Sequence, residues 1–229
     1  MEETLAPASA SAALGDEIPA IVAALRRVTV VVRTRGAGVG AGVVWDARGV
    51  VITNAHVARG DDVTVQFSDG GSASARVVAR DRQRDLAALE FDPPADIAAA
   101  VLRAAPALRV GDLVIAVGHP DGRAGAITVG IIHASDDGNG SEPRWVRADV
   151  RLAPGYSGGP LADMAGRVVG INTLIYGGLA LAVPVAAVAE WLRGERHASR
   201  RARPRAPSRR GAARRRTGAD PGPPSRAQS

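Results

Sequence analysis

The sequence predicts an all-β chain of two barrels, about six strands each, with a short helix at either end. Three observations lead there. Short runs rich in β-branched residues recur from Val28 to Val183, among them VTVVVRT, GVVW, VVIT, VTVQF and AITVGIIHA. Turn signals such as DARG, ARGDD and SDGG separate them. The runs fall into two sets, parted by the strand-poor stretch DPPADIAAAVLRAAPAL over 92–108.

Taken in order, residues 1–15 are small and polar and predict a disordered leader. Ile18, Ile21, Val22 and Leu25 fall near helical spacing with Asp16 placed to cap, which predicts a helix over about 17–27. The first barrel then occupies about 28–91, the connection 92–108 and the second barrel about 109–183. In the second set, INTLIY and LALAV flank Gly177-Gly178, a favoured two-residue hairpin turn. Val185 to Arg193 predicts a closing helix. From 194 to 229 the chain is rich in Arg and Pro and nearly lacks large apolar residues, so a disordered tail is expected.

At 229 residues and 46% hydrophobic, the chain can bury about 70% of the surface that it exposes when unfolded. Aromatics are only 3%, so Val, Ala, Leu and Ile must build the core. Without cysteine, disulfides cannot hold it. All 29 basic residues are arginine, which reads as the bias of a GC-rich genome. Twelve arginines against two acids give 193–229 a charge of about +10, while residues 1–192 carry about −4. The body therefore offers no electrostatic footprint for nucleic acid, and the tail alone carries an expectation of weak nucleic-acid or anionic-surface binding. No run reaches the roughly 18 apolar residues of a membrane span. The acidic MEETLAPASASAALGDEIP lacks the features of a secretory signal, so a cytoplasmic location is expected.

PGYSGGP, from Pro154 to Pro160, fits two incompatible machines. As G-x-S-x-G it fits an α/β-hydrolase elbow, but that requires Ser, then acid, then His, with a helix opening at the serine. The only histidine after Ser157 is His197, in the arginine-rich tail, and Gly158-Gly159-Pro160 starts helices poorly. As G-x-S-G-G-P it fits a trypsin-like nucleophile loop, with the order His, Asp, Ser. His56 in VVITNAHVAR and Asp85 in RDLAALEF supply that order. A serine hydroxyl needs a base, imidazole is the base nearest neutrality, and a carboxylate must fix its tautomer. Glycines around Ser157 let backbone N–H groups converge on an oxyanion. His119, His133 and His197 lack metal-ligand spacing, and neither metal nor cofactor is expected. GAGVGAG lacks the Gly-Lys-Ser/Thr ending of a phosphate loop and reads as glycine-permitted strand packing.

GAGVGAGVVWDARGVVITNAHV, DLAAL, GDLVIAVGHPDG, ITVGII and RADVRLAPGYSGGPLADMAGRVVGINT together resemble the protease domain of the HtrA/Deg serine proteases over about residues 18–192. The resemblance implies a chymotrypsin-like double β-barrel with the site in the cleft. His56 and Asp85 would come from the first barrel and Ser157 from the second. It implies an oxyanion hole from the N–H groups of Gly155 and Ser157, with Tyr156 as a further donor. It places Leu152, Tyr176 and Leu179 at the pocket for the residue before the cut. Tyr156 stands where the family usually has Asn, and His119 replaces the Asn of a GNP turn. The PDZ domains that commonly follow are expected to be absent.

The implied activity is a serine endopeptidase acting on unfolded or extended polypeptides, which would pair with a strand edge near GGLALAV. Two other classes stay open: a polypeptide-binding pseudoprotease, and a protein tethered to nucleic acid through its tail. The sequence leaves the oligomeric state unassigned.

Overall fold

The computed structural model describes residues 9–34, 38–103, 108–120, 124–135 and 145–202. The first six strands are β1 (Thr29–Thr34), β2 (Val39–Asp46), β3 (Val50–Thr53), β4 (Asp62–Gln66), β5 (Ser72–Asp81) and β6 (Leu86–Glu90). They close into an antiparallel barrel in the order β1-β2-β3-β6-β5-β4. The next six are β7 (Leu113–Gly118), β8 (Ala126–Ser135), β9 (Val146–Asp149), β10 (Pro160–Asp163), β11 (Val168–Tyr176) and β12 (Leu179–Pro184). They close a second barrel in the order β10-β11-β12-β9-β8-β7. Two all-β barrels of six strands each are thus what the chain forms.

The residue pattern of each strand follows from what lies on its two faces. β4 has solvent on one face, and DVTVQ alternates exposed and buried. β3 and β6 read instead as near-continuous apolar runs because both faces are covered. Val51 and Leu89 point into the first barrel with Val30, Val32 and Val44. Val43, Ile52, Leu86 and Ala88 pack outward against Val168, Ile171 and Val183 of the second. That shared cluster holds the barrels face to face, and the cleft between them carries the site.

Both helices reinforce this contact. α1 (Ser9–Val28) precedes the first barrel but packs Leu25 against Ile115, Val117 and Ala162 of the second. It starts eight residues before the expected 17, and Asp16 lies inside it. Ala10, Ala12, Ala13 and Leu14 are strong helix formers, which the reading of 1–15 as a polar leader undervalued. α2 (Val185–Ala202) places Val188, Trp191 and Leu192 over the shared cluster. It continues nine residues past Arg193 because Glu195, Arg196 and Ala198 favour helix. The expectations for 1–8 and 203–229 lie outside the described residues.

The connection after β6 is tied to both barrels. Ala100 N–H donates to Val44 C=O of the first at 2.8 Å. Leu102 forms a parallel bridge to Val168 of the second, with Val168 N–H on Val101 C=O at 2.8 Å and Arg103 N–H on Val168 C=O at 2.9 Å. Among the described residues no helix is long and apolar enough to cross a membrane.

Candidate active site

β3 ends at Thr53, and the turn that follows is held by Val57 and Ala58 N–H groups, both donating to Asn54 C=O at 3.1 and 3.0 Å. His56 sits on this turn. Asp85 closes the turn between β5 and β6 with φ 55°, the one non-glycine residue among those described with positive φ. Asp adopts this region more readily than most residues. Neighbouring groups fix it: Asn54 Nδ2 and Ala55 N–H donate to Asp85 C=O at 2.9 and 3.2 Å. The TNAH loop therefore positions both the histidine and its acid.

The carboxylate accepts three hydrogen bonds. Oδ1 accepts His56 N–H at 3.0 Å, and Oδ2 accepts from His56 Nδ1 at 2.7 Å and Thr173 Oγ1 at 2.5 Å. Burial raises the Asp85 pKa, but these hydrogen bonds outweigh it and hold the carboxyl below its ordinary value. With a proton on Nδ1, His56 presents Nε2 as the free base. Asp81, the other acid of that loop, is occupied by the turn itself, accepting Gln83 and Arg84 N–H at 2.9 Å each.

The second barrel brings up Ser157 in the turn before β10. Ala41 N–H of β2 donates to Ser157 C=O at 2.8 Å, and Thr53 Oγ1 secures Ala41 C=O at 2.6 Å. A Cβ on Gly158 would stand 2.1 Å from Ala41 O, at φ 85°, so only glycine permits this approach. Gly40 is packed under Val57, where a Cβ would meet its methyls at 2.5 and 2.7 Å, in keeping with the strand-packing reading of GAGVGAG.

Ser157 Oγ donates to Thr173 C=O at 3.0 Å rather than to His56. Thr173, which sequence reasoning passed over, therefore touches both acid and nucleophile. Its signal was a buried hydroxyl beside Asn172 in the otherwise apolar strand VVGINTLIY, since buried polar groups require partners. Tyr156 N–H, expected as a third oxyanion donor, donates to Ala153 C=O at 3.1 Å. The N–H groups of Gly155 and Ser157 donate to no protein group among the described residues.

Tyr156 is 6% exposed and packs in the second barrel's core with Val114, Ala116 and Leu161. Its ring lies where a Cβ on Gly118 would be, 2.7 Å away, so the missing side chain at 118 makes room for the phenol. Tyr156→Ala is expected to cost about 3–5 kcal/mol and Tyr156→Phe under about 1.5 kcal/mol, read by urea unfolding. Equal costs would show that the ring does not fill this space.

His119, 4% exposed, holds the same loop. Its N–H donates to Gly155 C=O at 2.9 Å, and its Nδ1 accepts Gly125 N–H at 3.0 Å. Nε2 is buried without a well-formed hydrogen bond among the described residues. Burial lowers the ring's pKa from the ordinary 6.5; the Val30 backbone opposes this and the charge of Arg33 adds to it. The unfolded chain therefore binds this proton first as pH falls. The stability that His119 contributes is complete above about pH 6.5 and is lost as pH drops toward the folded-state pKa. His119→Asn keeps an acceptor without this titration, so the fall in Tm between pH 7.5 and 5 should shrink. An undiminished fall would refute the assignment.

Of the expected pocket residues, Tyr176 and Leu179 face one another across the Gly177-Gly178 turn. Leu152 packs against the core of the second barrel. Tyr176, however, is 71% exposed at the hairpin tip. The expected strand edge near GGLALAV is not free, because barrel closure pairs β12 with β9 as well as β11. The open edge belongs to β11. The β10 ladder ends at Ile171, and Asn172 still bonds Gly158 and Gly159 through its backbone at 2.8 and 2.9 Å, which leaves 173–176 without a backbone partner on that side among the described residues.

Comparison with known proteins bears on the family and the fold. The trypsin-like peptidase domain family matches residues 40–171. A probable periplasmic serine protease do/HhoA-like of Haemophilus influenzae is 35% identical, covering 64% of this chain and 34% of its own length. Protease Do-like 1, chloroplastic, of Arabidopsis thaliana is 37% identical, covering 65% and 37%. Among solved structures, the HtrA-type protease AlgW with tripeptide superposes at TM-score 0.68 and 30% identity, covering 76% of this chain and 62% of that one. The chain spans about a third of the length of the curated relatives it matches. These relatives correct the expected cytoplasmic location: several are named periplasmic. The cytoplasmic reading rested on a missing targeting signal, and such an absence carries no address. Nucleic-acid binding by the tail gains no support from them.

Proposed function

The chain belongs to the trypsin-like peptidase family, and from that premise we propose that it is a serine endopeptidase cleaving extended polypeptides. The observation that carries this is the convergence of His56, Asp85 and Ser157: Asp85 bonds His56 and Thr173, and Ser157 Oγ donates to the same Thr173. In the proposed reaction, the Ser157 hydroxyl turns from Thr173 C=O to His56 Nε2 and attacks the scissile carbonyl. His56 takes its proton, and Asp85 stabilises the imidazolium. The oxyanion is received by the N–H groups of Gly155 and Ser157. His56 then protonates the leaving amine, and water discharges the acyl-enzyme by the same route.

An extended substrate would pair with the open edge of β11 over 173–176. Leu152, Tyr176 and Leu179 would form an apolar, shallow pocket for the residue before the cut. Cleavage after small aliphatic residues is expected, read by mass spectrometry of digested casein; dominant cleavage after Arg or Lys would show a different pocket. A second reading, a polypeptide-binding module without turnover, draws on one observation: Ser157 Oγ rests on Thr173 rather than on His56. Fluorophosphonate labelling separates the two. Stoichiometric labelling at Ser157 supports the peptidase, and inertness beside intact peptide binding supports the module.

A further inference from the structure

A cleft of about 300 Å³ opens beside the catalytic histidine, lined by Ala55, His56, Arg59, Arg80, Arg82 and Asp85. Three of the six are arginines, and they differ in what occupies them. Arg80 is committed: its Nη2 donates to Ala58 and Gly60 C=O at 2.7 and 3.1 Å, and Asp61 lies at 3.8 Å. Its Nε is buried and makes no hydrogen bond among the described residues. Arg59 uses only Nε, on His56 C=O at 3.0 Å. Arg82 is exposed and has no hydrogen bond or ion pair among the described residues. The nearby acids are engaged elsewhere, Asp81 with Arg84 at 2.8 Å and Asp85 with His56 at 2.7 Å. Of RDRQRD over 80–85, the turn and the triad thus absorb every charge except that of Arg82.

We infer that this cleft is a subsite for an acidic side chain of the polypeptide substrate, held by the guanidinium groups of Arg59 and Arg82. The inference rests on the peptidase function proposed above. Guanidinium forks fit carboxylates, and a partner entering here supplies the anion that the chain itself withholds. His56 forms part of the wall, and an extended chain advances about 3.3 Å per residue, so the acidic residue lies within about two positions of the cut. The contact is made in ground and transition state alike, which places its effect in KM rather than kcat.

The test scans Glu against Gln at each position from three before to three after the cut, in a peptide otherwise cleaved well. Glu should raise kcat/KM about fivefold or more at one position within two residues of the cut, through KM, and 0.5 M NaCl should largely erase the gain. Arg82→Gln should abolish most of it while leaving cleavage of the Gln peptide unchanged, and Arg82→Glu should turn the preference toward Lys. Equal cleavage of Glu and Gln peptides at every position would overturn the inference while leaving the peptidase intact. So would a preference that survives in both Arg82→Gln and Arg59→Gln. Cleavage of neither peptide would overturn the peptidase reading and this inference with it.

Discussion

Ser157→Ala is expected to lower hydrolysis of an unfolded protein such as casein by at least ~10⁴ while leaving the fold in place. The catalytic loss follows from removing the proposed nucleophile. The structural cost is small, because among the described residues Ser157 Oγ makes a single hydrogen bond, to Thr173 C=O, and a bond of that kind contributes about 1 kcal/mol. The anchors of the loop are backbone groups, Ser157 C=O with Ala41 N–H and Gly158 N–H with Asn172 C=O, and the substitution spares them. His56→Ala should match it, and the double variant should lose little more, because the groups act as a unit. Activity above one part in a hundred of wild type, with an unshifted Tm, would refute the serine mechanism.

Asp85→Asn should cost about 10⁴ in kcat yet leave Tm unchanged or slightly raised. The two outcomes separate because Asp85 has two duties. Its backbone sits at φ 55°, a region that Asn tolerates at least as well as Asp. Its carboxylate accepts three hydrogen bonds, and a carboxamide presents an N–H₂ where one oxygen stood. If that group faces His56 Nδ1, the ring must carry its proton on Nε2 and can no longer act as base. Raising pH should not restore the rate, since the fault lies in the tautomer. A loss below tenfold would show that Asp85 does not orient His56.

The barrels were legible in the sequence because β-branched runs and turn signals are local. His56, Asp85 and Ser157 could be proposed as a triad because each lies in a short motif. What escaped was set by contacts between distant segments. Thr173 meets Asp85 from 88 residues away, and no local pattern predicts that. The free edge was assigned to the wrong strand of a correctly placed hairpin, because only barrel closure decides which strand gains a second partner. The helix ends were misjudged for a simpler reason: propensity carried α1 and α2 beyond the expected bounds.

The cluster joining the barrels has a consequence for synthesis of the chain. Val43, Ile52, Leu86 and Ala88 are complete in the nascent first barrel, but what covers them, Val168, Ile171, Val183 and α2, is translated later. At 5–20 residues per second, the roughly 100 residues still to come take on the order of 5–20 s. Through that interval the emerging barrel presents an uncovered apolar face, and Leu25 of α1 waits for Ile115, Val117 and Ala162. The first barrel is thus held on the ribosome with its apolar side outward until its cover is made. The cleft between the barrels therefore cannot close until β11, β12 and α2 have been made.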